Sequence, residues 1–350
     1  MSSQTSAALL AESLRRATGP THPSLTTSVI PALLRGIAQT AAALRGAHSV
    51  ETAGSANAFG DAQLNVDVLA EQYFRDATAS CAAIVAASSE EDPVEVPAGD
   101  TAESKEGGDG DVYAVAFDPL DGSSIIAPNW AVGSIIGVWA GRTALNQDPA
   151  RQIAAVLGVY GPRTTALVAV RVPGREGAAV CVEVGIDTNT SHTSTSPSTS
   201  NIAPKIEIVR SDVRLADLES AKTRYFAPAN LRAASEDARY MALVTAYIAE
   251  RYTLRYSGGL VPDVAHALAK GHGVYVSPVT GGSKAKLRRA FELLPVALVV
   301  ECAGGAAVDP VDGSRVLGRE LGGLGETGGL VCGTGWEVER VVGALVGERV

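Results

Sequence analysis

The segment Asp118-Pro119-Leu120-Asp121-Gly122-Ser123-Ser124 is where residue types and spacing promise chemistry most directly. Its two carboxylates, separated by a rigid Pro-Leu step, can converge on a cation, and the Leu120 carbonyl between them can add a third oxygen. Hard oxygen donors of this kind suit magnesium or manganese. Gly122 lets the backbone approach a ligand closely, while Ser123 and Ser124 can open a helix whose free N–H groups face a phosphate. A capped helix start after a strand uses the same residue types. The whole segment, rather than its Asp-Gly-Ser core, favours the chemical reading.

Upstream, Ser88-Ser89-Glu90-Glu91-Asp92-Pro93 carries three consecutive acids, which repel one another unless solvent or cations screen them. Alone this would be a solvated loop; beside the first motif it becomes a second group of ligands. Gly60-Asp61 and Asp67 add acids that could position or activate water. Cys81, Cys181, Cys302 and Cys332 lie far apart without Cys-x-x-Cys spacing, which suits reduced, buried thiols rather than zinc or disulfides.

The elements that must carry these residues can be read from periodicity. Apolar residues at helical spacing predict helices over Ser28 to Arg45 and Asp67 to Ala87, with a small polar turn from Gly54 to Asp61 between them. After Glu91 the chain reads as loop, and Lys105 to Gly110 cannot build a core. Val112 to Phe117 reads as a strand that stops at Asp118-Pro119. Further strands are expected at Gly133 to Trp139, Ala154 to Tyr160, Thr165 to Val172 and Ala179 to Val184, followed by a Ser/Thr-rich surface insertion from Asp187 to Pro204. Beyond it, Glu236 to Arg251 and Ser283 to Leu294 read as helices, and Val274 to Ser277 and Val296 to Glu301 as strands. This alternation predicts an α/β second half, so that two α/β domains are expected, residues 1–205 and 206–350.

The chain has 350 residues and a formal net charge of -9, with scattered basic residues, so the electrostatic footprint of nucleic-acid binding is missing. No apolar run reads as a membrane span. An acidic protein that handles an anionic substrate must invert its charge locally, with cations or a small Arg/Lys pocket. The first 50 residues hold only one acid, Glu12, among Ser, Thr and Arg, the bias of an organellar transit peptide. The helical spacing from Ile30 to Leu44 argues against that reading, and a cytoplasmic protein is expected.

Asp118 to Ser124 resembles the metal-binding signature of the lithium-sensitive phosphatase superfamily, and Ser89-Glu90-Glu91 resembles its upstream acidic element. Gly60-Asp61 through Asp67-Val68-Leu69-Ala70, Tyr256 to Val264, Lys286 to Glu292 and Ala303-Gly304-Gly305 narrow the resemblance to the sugar-bisphosphatases of the class 1 fructose-1,6-bisphosphatase family. Gly137-Val138-Trp139, Gly161 to Thr165, Asn230 to Ala233 and Tyr252 to Tyr256 are similar to its sedoheptulose-1,7-bisphosphatase branch.

That resemblance implies a layered α/β/α/β/α sandwich of two domains with the site between them. It implies that Glu90, Glu91, Asp118, the Leu120 carbonyl, Asp121 and Glu292 surround two or three magnesium ions, with manganese a possible substitute. Glu91 would be the base, helped by Asp67 and Asp61, and Gly122, Ser123 and Ser124 would bind the departing phosphoryl group. Asn230, Arg232, Tyr256, Tyr275 and Lys286 would hold the sugar and its second phosphate, and Arg255 would reach across a subunit boundary in a homodimer or homotetramer. The expected reaction is hydrolysis of the C1 phosphate of a ketose bisphosphate. An inositol- or nucleotide-type monophosphatase shares the Asp118 to Ser124 logic but needs no second phosphate pocket. A catalytically silent sugar-phosphate sensor would be expected to have lost mutually repelling carboxylates. Gly54-Ser55-Ala56-Asn57 lacks the redox cysteine pair of plastid relatives, and no nucleotide-inhibition site is recognisable in the N-terminal helices, so neither thioredoxin nor AMP control is expected.

Overall fold

In the computed structural model, residues 3–60, 62–99, 111–188, 204–217 and 220–347 are described. Long β-branched and apolar runs build an eight-stranded sheet. In spatial order its strands are Lys205–Arg210, Val180–Asp187, Thr164–Val170, Gln152–Tyr160, Val132–Ala140, Tyr113–Asp121, Ile84–Ser89 and Val96–Pro97. Neighbours run antiparallel except Ile84–Ser89 and Tyr113–Asp121, which are parallel. Tyr113–Asp121 and Val132–Ala140 are buried along their whole length, as expected of strands covered on both faces.

One face of this sheet packs on the helices Ser3–Thr18, Ile30–Gly46 and Asn65–Ala79. The other packs on Leu260–Lys270 and Leu294–Cys302, which are covered in turn by a five-stranded sheet of Thr253–Leu254, Tyr225–Pro228, Val274–Ser277, Leu330–Gly333 and Ala306–Val308. Ala238–Ala249 and Gly335–Leu345 close the outer side. The layers therefore run α/β/α/β/α, as expected.

Several local expectations are corrected. Val296 to Glu301 is not a strand but the body of the helix Leu294–Cys302, in which every residue except Glu301 is buried. A helix between two sheets is apolar all round, and its short apolar run has no period that distinguishes it from a buried strand. Ser283 to Leu294 is not one helix: Leu287–Arg288 pairs with Thr327–Gly328, and Arg289–Leu293 forms a π-turn leading into Leu294–Cys302. The helix expected to run to Ala87 ends at Ala79 and gives way to the strand Ile84–Ser89. Thr52–Ala56, expected to belong partly to a turn, pairs with Ala62–Leu64.

The expected division after residue 205 falls at the head of Lys205–Arg210, which pairs with Val180–Asp187 and completes the first sheet's edge. Lys105 to Gly110 and most of the Asp187 to Pro204 insertion lie outside the described residues. All four cysteines are buried and unpaired, and among the described residues no helix is long and apolar enough to cross a membrane.

Candidate active site

The strand starting at Tyr113 does not stop at Asp118-Pro119 but continues through a bulge to Asp121. Asp118 lies opposite Ile135 and Asp121 opposite Gly133, so three steps on one strand match two on its partner. Side chains three apart on a regular strand point to opposite faces; the extra residue cancels that alternation. Both carboxylates therefore face the middle helical layer, while Phe117 and Leu120 pack into the core on the other face. Pro119 has no N–H to contribute to the ladder, and the Leu120 N–H turns to Asp118 Oδ1 at 2.9 Å.

The second half of the chain supplies the rest. Glu292 arrives on the π-turn Arg289–Leu293, and Asp118, Asp121 and Glu292, all buried, each offer a carboxylate oxygen within 4.8 Å of the others. Asp121 Oδ1 accepts the Leu260 N–H at 3.1 Å, and Oδ2 accepts that of Val261 at 2.7 Å. Glu292 accepts the Arg288 N–H. Glu90 follows the strand Ile84–Ser89, anchored by its own N–H on the Phe117 carbonyl at 3.0 Å.

Burial, then repulsion from Glu90, Asp121 and Glu292, holds the Asp118 carboxyl well above the usual range. Glu292 is raised by burial and next by Glu90. Asp121 is pushed up to about 6 by burial, against the downward pull of the Val261 and Leu260 N–H groups. Asp67 is likewise raised to about 6 by burial; it accepts the Leu64 N–H at 2.8 Å, and its other oxygen has no hydrogen-bond partner among the described residues. Buried carboxylates so close together are stable as anions only when paired or coordinated. An all-oxygen set of this kind fits a hard divalent cation. Arg288 is the nearby cation, its Nε 3.7 Å from Glu90 and its guanidinium 3.7 Å above the Phe59 ring.

Glu91 accepts a hydrogen bond from the Gln63 side chain, so the short strand Ala62–Leu64 touches both Glu91 and Asp67. Asp61 lies outside the described residues. Gly122 has φ +94°, and opens only a single helical turn, Ser123–Ile126, with Ser123 and Ser124 exposed. The helix that Ser123 and Ser124 open is thus one turn long, with both serines at the surface.

Across from that turn, Tyr256 donates to the Ala229 carbonyl at 2.7 Å. Its hydroxyl is raised by burial and Asp263 and lowered by Arg232, so these groups share one neighbourhood. Tyr275 is buried beside Tyr256, Asp121 and Asp263. Asn230 precedes the 3-10 turn Leu231–Ser235 that carries the exposed Arg232. Lys286 is exposed just before Leu287–Arg288. Arg255 contacts its own chain, donating to the Leu254 carbonyl and lying 5.8 Å from the Tyr225 ring centre.

Three residues to which the sequence assigned no role join the site. Asp263, raised to about 6 by burial, accepts the Ser257 N–H at 2.7 Å and holds the turn between Tyr256 and Leu260. Gln63 and Arg288 contact Glu91 and Glu90. The usable signals were an acid in the first turn of Leu260–Lys270 and an arginine four residues before Glu292.

Residues 13–186 match the family description "Fructose-1-6-bisphosphatase, N-terminal domain", and residues 220–345 match its C-terminal domain. The chain belongs to the fructose-1,6-bisphosphatase family. It is 37% identical over 283 residues to the chloroplastic sedoheptulose-1,7-bisphosphatase of Chlamydomonas reinhardtii, covering 79% of this chain and 63% of that protein. It is 32% identical to the class 1 fructose-1,6-bisphosphatase of Citrifermentans bemidjiense, covering 73% of this chain and 68% of that one. A Toxoplasma gondii crystal structure, described as a candidate sedoheptulose-1,7-bisphosphatase, superposes with a TM-score of 0.80 at 34% identity, covering 96% of this chain and 98% of that one. The chain thus spans less than two thirds of the length of the Chlamydomonas relative.

Proposed function

We propose that the protein hydrolyses the C1 phosphate of sedoheptulose-1,7-bisphosphate, and also of fructose-1,6-bisphosphate, with magnesium as its cofactor. The observation that carries this reading is the meeting of Asp118 and Asp121 from the first half with Glu292 from the second, each buried. Glu90, Glu91, Asp118, Asp121, Glu292 and the Leu120 carbonyl would hold two or three magnesium or manganese ions. Bound there, such ions supply positive charge to the phosphoryl oxygens and lower the pKa of coordinated water.

The chain's own groups do the rest. Glu91, half-buried and fixed by Gln63, accepts the proton of the attacking water, and Asp67 and Asp61 assist it. Gly122, Ser123 and Ser124 bind the phosphoryl oxygens where negative charge gathers during in-line attack. Tyr256, Tyr275, Asn230, Arg232 and Lys286 orient the sugar and its distal phosphate. Arg255, whose contacts here lie within one chain, would serve a neighbouring subunit in a homodimer or homotetramer. We divide the chain after Arg210, where the first sheet ends, and assign it to the cytoplasm.

Phosphate release from both bisphosphates, with magnesium and with EDTA, tests the reading. Magnesium-dependent release from both, with little from inositol or nucleotide monophosphates, is expected. Equal turnover of monophosphates would return the assignment to a monophosphatase.

A further inference from the structure

The bulge that aims Asp118 and Asp121 in one direction is itself held from behind. Ser134, on the neighbouring strand, donates its hydroxyl to the Pro119 carbonyl at 2.6 Å, inside the bulge. The same oxygen lies 2.6 Å from the Tyr160 hydroxyl on the next strand over. Ser134 has one proton, and the Pro119 carbonyl takes it, so Tyr160 is the donor in the second bond. Register makes the alignment possible. Ser134 lies opposite Gly158, and Tyr160, two residues on, is its diagonal neighbour on the same face.

That face is the one away from the carboxylates. Val132 and Ile136, which share Ser134's parity, pack with the N-terminal helices, whereas Ile135, of the opposite parity, packs with the middle layer. Ser134 is fully buried and Tyr160 is 7% exposed, so neither hydroxyl has water as an alternative partner. A bulge in a central strand would otherwise leave a carbonyl unsatisfied in the core, at the one place where backbone geometry decides the aim of Asp118 and Asp121.

We propose that Tyr160 and Ser134 are positioning residues for the metal site: a hydroxyl relay across three strands fixes the Pro119 carbonyl and so sets the spacing of the Asp118 and Asp121 carboxylates. They act through the bulge without touching cation or substrate. The proposal rests on the metal-dependent reading of the site given above. Groups that orient metal ligands typically change metal affinity by about 10–100-fold when removed.

The test is manganese affinity, by electron paramagnetic resonance of the free ion, alongside the magnesium concentration giving half-maximal phosphate release. Ser134→Ala is expected to raise both constants about 10-fold, the low end of that range. Tyr160→Phe, which keeps the ring and should fold even if Ser134→Ala does not, is expected to shift them in the same direction by less. Because Tyr160 acts through Ser134, the double variant should be no worse than Ser134→Ala alone. Unchanged metal constants in variants with lowered Tm would make the hydroxyls merely structural and overturn the proposal, as would independent, additive effects. A wild-type protein that binds no manganese would also overturn it. Tight manganese binding, with the expected shifts but no phosphate release from either sugar, would sink the catalytic reading and leave the relay standing.

Discussion

Val261 donates its backbone N–H to Asp121 Oδ2 at 2.7 Å, so a carboxylate on the first half's central strand is oriented by the second half. Gly133 makes that approach possible. It lies opposite Asp121, and a Cβ there would come within 2.4 Å of Val261 Cβ and 2.8 Å of the Gly158 carbonyl oxygen. Gly133→Ala should therefore push Val261 away from Asp121. Overpacking of this kind costs about 1–3 kcal/mol, and the loss should appear in urea unfolding. Turnover should fall further than the folded fraction does, because the displaced N–H groups hold a site carboxylate. A variant with full turnover per folded molecule would show that Asp121 keeps its aim without Val261.

Asp67, Asp121 and Asp263 are each raised from 3.8 to about 6, chiefly by burial. The folded state binds these protons more tightly than the unfolded chain, so their contribution to stability is present at low pH and lost as pH rises between about 4 and about 6. In EDTA, Asp67→Asn, which retains an acceptor for the Leu64 N–H, should lose less stability than wild type between about pH 4 and about pH 6. Magnesium added near pH 7 should raise the wild-type Tm, since it binds only the folded acids. Identical pH slopes for the two proteins would remove Asp67 from the linked set.

Glu91→Gln is expected to lower turnover by about 10²–10⁴-fold, the range for a lost general base. Glu91 is only half-buried and Gln63 can hydrogen-bond to the new amide, so Tm should barely move. Near wild-type turnover would take Glu91 out of the mechanism; collapse of the fold would make it structural.

The chemistry was legible because it is concentrated in contiguous segments: Glu90-Glu91 and Asp118 to Ser124 can be read without knowing the fold. The long strands of the first sheet were legible for a similar reason, since they carry β-favouring runs, whereas the layer order followed from the family resemblance. What escaped was set by tertiary context. Leu294–Cys302 resembles a strand because a helix between two sheets has no polar face. The bulge at Pro119 was invisible because proline ordinarily ends a strand, and only the Ser134 hydroxyl and the Asp118 carboxylate make its continuation tolerable. Asp263 and Arg288 were missed because their roles depend on which backbone groups and which acids lie across the interface, and spacing does not encode that.

Arg232 sits exposed on the turn Leu231–Ser235, close enough to Tyr256 to offset part of the rise that burial gives its hydroxyl's pKa, while Tyr256 is tied to the Ala229 carbonyl. A guanidinium so placed can take a phosphate by a planar two-point contact. A seven-carbon bisphosphate carries its distal phosphate one carbon farther from the carboxylates than a six-carbon one. Gly258 and Gly259 lie between Tyr256 and Leu260, and a Cβ on either would come within 3.1 Å of Ile125 or Pro262, so a larger residue there would crowd this side of the site; Gly258, at φ +105°, would also be strained. The expected result is higher kcat/KM for sedoheptulose-1,7-bisphosphate than for fructose-1,6-bisphosphate, by about 10- to 200-fold, the scale of discrimination by modest contact differences. Arg232→Ala should raise KM for the longer substrate chiefly and leave kcat nearly unchanged, because the contact is made equally in ground and transition states. Steady-state kinetics on both bisphosphates decides the matter. Equal or better efficiency on the six-carbon substrate would overturn the preference while leaving the bisphosphatase reading intact.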